Sequence, residues 1–213
     1  MKIIIVAATD MEIDIAKSNL RQNKKHEIIF KITGVGMLAT AVNLTQIAIE
    51  EKPDLIIQAG IAGTFDNKML LGNVVVIKEE MIGDLGVEEN GAWKDIFDLN
   101  LENENNFPFE NGKLINNEIS KSNLLSLPEV KAITLNEIST NQKRIMQLKE
   151  KYNAVVESME GAALHYVCCK FKMPFLQIRA VSNYVGERDK TKWKMKEAIE
   201  NLNESLIKLI DKL

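Results

Sequence analysis

"VVESMEGAALHYVCCKFKMPFLQIRAVSNYVGERD" (Val155–Asp189) reads as strand, helix, strand. A β-branched run at 154–158 passes through small residues into an apolar segment over 159–171. "PFLQIRAVSN" (174–183) then returns to an extended pattern that ends in polar residues. The same alternation extends outward in both directions. Strands are expected at 2–8, 26–32, 54–60, 73–82 and 130–136, and helices at 11–22, 37–51, 140–151 and 191–212. In the last of these, Ile199, Leu202, Leu206, Leu209 and Ile210 share one face. Strands alternating with helices predict a three-layer α/β/α fold with a central mixed, largely parallel twisted sheet and helices on both faces.

The chain has 213 residues, 46% of them hydrophobic, and a formal net charge of -3, which fits one domain spanning 1–213 with a sizeable core. No block of Lys and Arg marks a nucleic-acid or membrane surface, so a small-molecule partner is expected. Cys168 and Cys169, the only cysteines, are adjacent in an apolar stretch, which suits neither a disulfide framework nor a metal site and implies a reducing cytoplasm. "MKIIIVAATDMEID" is apolar too briefly for a signal peptide, and no later run is long enough to span a bilayer. From Gly83 to Pro128 the periodicity lapses into a long excursion rich in Asn, Glu and Gly. Trp93, Phe97, Phe107 and Phe109 within it predict order rather than disorder.

Four places carry chemically useful groups, each with a purely structural explanation. Glu12 stands three residues after Thr9 just beyond a strand, which is the spacing of a helix capping box. "TGVGMLATA" (33–41) and "QAGIAGTFD" (58–66) read as glycine turns, each following a strand, where a ligand can approach the backbone. Neither has the spacing of a dinucleotide or P-loop fingerprint. Ser158 is placed to cap the next helix, with Glu160 in its first turn beside small residues that leave room for a ligand. Asn183 ends an apolar strand, as an Asx turn would. His26 and His165 are grouped with no ligand residues.

Taken together, "MEGAA" followed by "RAVSN", with "TGVG" and "AGIAG" upstream in that order, resembles the nucleoside phosphorylase and nucleosidase superfamily, in particular its hydrolytic branch of methylthioadenosine/S-adenosylhomocysteine nucleosidases. Within that branch, "GDLGVEENGAWKDIFDL", "VESMEGAALHYVC" and "SNYVGERD…W" are similar to the futalosine hydrolases of menaquinone biosynthesis. The resemblance implies a nucleoside phosphorylase-like fold, a homodimer, no metal and no organic cofactor. It makes Glu12 the base that activates water and Glu160, next to Met159, the acceptor for the ribose hydroxyls. It also puts Ile138 and Ser139 on the purine wall, Gly60 and Ile61 against the substrate, and Asn183 where adenine-cleaving relatives carry an Asp. The Ser158 between Glu157 and Met159 departs from the Glu-Met-Glu of those relatives and leaves Glu157 without an assigned role. A Phe usual on their purine wall is also missing.

These assignments match the charges that develop when an N-ribosidic bond breaks. The sugar becomes cationic and the departing base anionic, so carboxylates are needed near the one and donors near the other. The phosphorolytic branch carries an Arg two residues before the first glycine of the turn and a Ser or Thr after it. Here Gln58 and Ile61 take those places, which removes charge and donors that phosphate needs and favours water. An Asn at 183 offers amide donors to N7 and O6 of hypoxanthine, although an Asn also pairs with adenine. The expectation is hydrolysis of futalosine to hypoxanthine and dehypoxanthinylfutalosine. The alternatives are a methylthioadenosine/S-adenosylhomocysteine-type nucleosidase or a nucleoside-binding module without turnover.

Overall fold

A computed structural model describes the whole chain, Met1–Leu213. Its strands are β1 (Lys2–Ala7), β2 (Glu27–Ile32), β3 (Leu55–Thr64), β4 (Val74–Ile82), β5 (Gly86–Glu89), β6 (Ala92–Asp95), β7 (Leu114–Ile115), β8 (Glu129–Thr134), β9 (Val156–Ser158) and β10 (Phe175–Tyr184). The helices are α1 (Asp14–Leu20), α2 (Met37–Glu50), α3 (Ile119–Ser122), α4 (Gln142–Tyr152), α5 (Gly161–Phe171) and α6 (Met195–Lys212).

The main sheet is mixed and runs β10-β4-β8-β9-β3-β1-β2, with β7 added on β4. The pairs β1–β2, β1–β3, β3–β10, β4–β8 and β8–β9 are parallel, whereas β3–β9, β4–β10 and β4–β7 are antiparallel. Because β10 pairs with both β3 and β4, strands β3, β10, β4, β8 and β9 close into a ring. Periodicity shows which residues face inward but not which strand a given strand pairs with, so this closure is invisible in the sequence.

Alternation along β1 puts Ile3, Ile5 and Ala7 on one face and Ile4 and Val6 on the other. The first set packs with α1 and α6, through Ala16, Leu20, Leu202, Leu206 and Leu209. The second packs with α2 and α5, through Leu44, Ile47, Leu164 and Val167. Each buried Val, Ile or Leu among them contributes about 1.5–3 kcal/mol, so the sheet is held from both sides. A third cluster joins α4 to the ring through Ile145, Leu148, Met81, Ile133 and Leu135.

Three local expectations are corrected. Residues 60–63 form no turn: Gly60 and Gly63 lie within β3, which continues to Thr64. A Cβ on Gly60 would overlap the Arg179 guanidinium, and one on Gly63 would crowd Val185 Cγ2 at 3.2 Å and Asn183 Nδ2 at 3.3 Å. The helix expected at 11–22 is split at Ile13, whose φ of -129° separates a 3₁₀ turn (Asp10–Glu12) from α1. Ser158 caps nothing. It belongs to β9, its Oγ is buried without a partner, and α5 starts only at Gly161 with Glu160 at the N-cap position.

The excursion at 83–128 is packed against α4 and α5. Trp93 lies under the Arg144 guanidinium at 3.7 Å and its indole N–H donates to Tyr152 Oη at 3.1 Å. Phe97 meets Phe109 edge-on at 5.2 Å, and Phe109 meets Tyr166 of α5 at 5.9 Å. No residue of the excursion reaches the cavity described next.

Candidate active site

A cavity of about 270 Å³ opens where β1, β3 and β10 end and where β9 turns into α5. Strand ends leave the sheet here, so their backbone amides and last side chains face space rather than a neighbouring strand. Glu12, Ile61, Ile138, Met159, Glu160 and Asn183 all line it. Gly60 and Ser139 do not: Gly60 lies behind Ile61 in β3, and Ser139 is buried next to Ile138 with its hydroxyl toward Glu157. Thr9, Val35, Glu137, Glu157, Arg188 and Trp193 are also part of the wall.

Glu12 closes the expected capping box and also lines the cavity. One carboxylate oxygen accepts from the Thr9 N–H at 3.0 Å, closing the capping box, and the other accepts from the Ile61 N–H at 3.1 Å. Its backbone carbonyl is held by Asn203 of α6 at 2.8 Å. Glu12 is 6% exposed, and burial raises its pKa above the ordinary carboxylate value. The Arg179 charge and the two amides oppose that rise, and Glu160 adds to it. A carboxylate held in this way, on the wall of a cavity, is placed to take a proton from water.

Glu160 is 5% exposed and sits opposite. Its Oε1 accepts from the Gly36 N–H at 3.2 Å, and its Oε2 accepts from Arg179 Nη1 at 3.4 Å. Gly36 has a φ of +89°, a conformation open to glycine, which turns that amide inward. The side chain makes no capping bond to α5; Thr134 Oγ1 accepts from the Ala162 N–H instead, at 2.8 Å. Glu160 is thus released from the helix end and turned into the cavity.

Arg179 is the residue that the sequence reading did not single out. It is 1% exposed, donates to Gln58 Oε1 at 2.8 Å, and carries the positive charge set against Glu12, Glu160 and Glu80. The signal was present, since an Arg in the middle of "FLQIRAVSN" is buried on both sides and requires carboxylate partners. Which carboxylates those are depends on β3, β4 and the β9–α5 turn meeting β10. Glu80, fully buried on β4, is raised to about 7 by burial and accepts from Thr134 Oγ1 at 3.0 Å. His165 is also buried, with Nδ1 3.1 Å from the Leu114 carbonyl, and burial lowers its pKa to about 3. It is neutral and stays outside the cavity wall.

Asn183 and Glu157 stand on either side of Gly63, because β10 and β9 both pair with β3 at that residue. Asn183 Oδ1 accepts from the Ser182 hydroxyl at 2.7 Å, and Nδ2 donates one hydrogen to the Tyr184 carbonyl at 3.1 Å. Only one amide hydrogen therefore remains for a ligand. No group of three or more His, Cys, Asp and Glu side chains is placed to hold a metal ion, and no helix is long and apolar enough to cross a membrane.

Comparison with known proteins agrees with this architecture. The family model described as the phosphorylase superfamily matches residues 8–213. A futalosine hydrolase of Thermus thermophilus is 29% identical over 85% of this chain and 80% of its own length. A 5'-methylthioadenosine/S-adenosylhomocysteine nucleosidase of Tolumonas auensis is 26% identical, over 87% of each chain. Among solved structures, the same kind of nucleosidase from Colwellia psychrerythraea, in complex with adenine, superposes with a TM-score of 0.81 at 18% identity, covering all of this chain and 96% of its own. The futalosine hydrolase of Helicobacter pylori gives 0.82 at 16% identity, covering 100% and 98%. With a mixed sheet closed around β3, β10, β4, β8 and β9 and the family pattern running through nearly the whole length, this chain belongs to the phosphorylase superfamily.

Proposed function

We propose that this protein is a nucleosidase that uses water to cleave futalosine into hypoxanthine and dehypoxanthinylfutalosine, a step of menaquinone biosynthesis. The observation that carries the choice of base is Asn183, an amide with a free N–H on the cavity wall where a carboxyl would suit adenine. Glu12 takes the proton of the attacking water, and Glu160 accepts from the ribose hydroxyls with bonds that strengthen as the sugar becomes cationic. Water is favoured over phosphate because the cavity wall has a single cation, Arg188, while Arg179 is already engaged by Gln58 and Glu160. Arg188 stands with Trp193, 5.7 Å from its ring, which suits an anionic aromatic group such as the carboxybenzoyl end of futalosine.

The test is to incubate the purified protein with futalosine, methylthioadenosine and inosine, with and without phosphate, and to identify the released base. Adenine release from methylthioadenosine, with futalosine untouched, would establish the nucleosidase type of the Tolumonas relative instead. Tight nucleoside binding without turnover would establish a binding module, a reading opposed by the presence of both Glu12 and Glu160 in one cavity.

Asn183→Asp is expected to lower kcat/KM for futalosine about 10–100-fold at neutral pH, because a carboxylate then faces acceptor atoms of the base. Lowering the pH should recover part of the loss and move preference toward the adenine analogue. The check is the ratio of kcat/KM for the two substrates across pH 5 to 8. An unchanged ratio in a stably folded variant would reduce Asn183 to a strand end.

A homodimer and a cytoplasmic location belong to the same reading. Leu38, Val42 and Ile49 form an exposed stripe on α2, with Leu38 81% exposed, and Val35 carries the stripe to the cavity rim. Apolar side chains aligned in this way suit a subunit contact. Leu38→Glu should therefore shift the protein from dimer to monomer in light scattering, while its circular dichroism spectrum is unchanged.

A further inference from the structure

The cavity contains one carboxyl for which the mechanism above has no use. Glu157 lines the wall, yet its Oε2 is buried with no hydrogen-bond partner. Its Cγ would be 3.5 Å from a Cβ placed on Gly63, and Asn183 Nδ2 would be 3.3 Å from the same point, so the two side chains flank one residue. The inserted Ser158 accounts for this position. It sets the acid one place back from the Met159-Glu160 pair, and the acid lies on β9.

We propose that Glu157, as a neutral carboxylic acid, is a second donor to the departing base and works beside the single free N–H of Asn183. This rests on the nucleosidase reading and completes it. A 6-oxopurine presents two acceptors, N7 and O6, and Asn183 has already given one of its two hydrogens to the Tyr184 carbonyl. One amide hydrogen cannot serve both acceptors well, and an acid O–H on the other side of Gly63 supplies the missing one. When the N9–C1' bond breaks, its electron pair enters the purine ring and spreads toward those atoms. Both hydrogen bonds then strengthen, and the proposal itself transfers no proton.

The surroundings of Glu157 are consistent with a neutral acid. Gly63 of β3 and Ile133 of β8 are its partners across the sheet, and neither is charged. The titratable and charged groups that share the cavity with it are Glu12, Glu160, Glu137 and Arg188. Burial raises the Glu157 pKa to about 7, opposed only by the Ser139 hydroxyl. Because the acid must be protonated, base binding is lost as pH rises through that value.

The experiment compares wild type with Glu157→Gln, whose amide keeps a donor at that position but cannot ionise. Hypoxanthine binding is measured by calorimetry from pH 6 to 8, and kcat/KM for futalosine over the same range. Wild type should lose about tenfold in hypoxanthine binding between pH 6 and 8 and show an alkaline loss in kcat/KM, whereas the Gln variant should show neither loss. Melting curves establish that the variant is folded. A flat wild-type profile, or an alkaline loss that persists in Glu157→Gln, overturns the proposal. If adenine binds and hypoxanthine does not, the futalosine reading fails and the same pH series with adenine decides the role of Glu157. Binding of neither base overturns both readings.

Discussion

Glu12→Gln is expected to lower kcat by about 10²–10⁴, the usual contribution of a general base, with nucleoside binding largely retained. Both Glu12 oxygens accept from backbone amides, Thr9 on one side and Ile61 on the other. A glutamine has one oxygen, so its NH₂ must face one of those N–H groups. The variant should therefore also lose about 1–3 kcal/mol of stability, the usual cost of an unsatisfied buried group. A capping role alone predicts that stability loss without the loss of turnover, so measuring kcat beside the melting temperature separates the two roles. pH provides a second check. Burial raises the Glu12 pKa, and a base must be ionised to work, so wild-type kcat/KM should fall as pH drops through that raised value. The Gln variant lacks this acid limb.

Arg179→Met should have the largest effect on the fold. It removes a buried cation that contacts Glu160 and Gln58 and leaves their acceptors facing a thioether. Breaking a buried ion pair from one side costs roughly 3–5 kcal/mol, which in a chain of this size lowers the melting temperature by roughly 6–20 °C. The charge of Arg179 also holds down the pKa values of Glu12 and Glu80. Without it, Glu12 ionises less readily and the acid limb of kcat/KM should move to higher pH. Arg179→Lys keeps the charge and tests this in a variant better able to fold; its acid limb should lie between those of wild type and Arg179→Met. An unmoved limb in both variants would separate Arg179 from the chemistry of Glu12.

The placement of the two glutamates explains why neither structural nor chemical arguments alone identified the site. Glu12 at three residues from Thr9 satisfies a capping box, and it does close one. The cap uses only one carboxylate oxygen, leaving the other for Ile61 and the cavity. Glu160 next to a helix start has a helix-dipole explanation, but the helix begins one residue later and Thr134 takes over the capping. Local spacing therefore specified which residues stand where a strand passes into a helix. It did not specify whether their side chains turn back to the chain or outward to space.

The sequence by itself determined the alternation of strands and helices, the two apolar faces of β1, the long α6 and the polar positions at Glu12, after β1, and Asn183, near the end of β10, because all of these follow from residue pattern within one segment. The tertiary structure decided the closure of the sheet through β10, the extension of β3 through Gly60 and Gly63, the burial of Arg179 among three carboxyls, and the meeting of Glu157 with Asn183 across Gly63. Each of these depends on strand neighbours that are distant in the chain. Asn183 and Glu157 each pair with Gly63 from a different strand, and nothing in their own segments records that register.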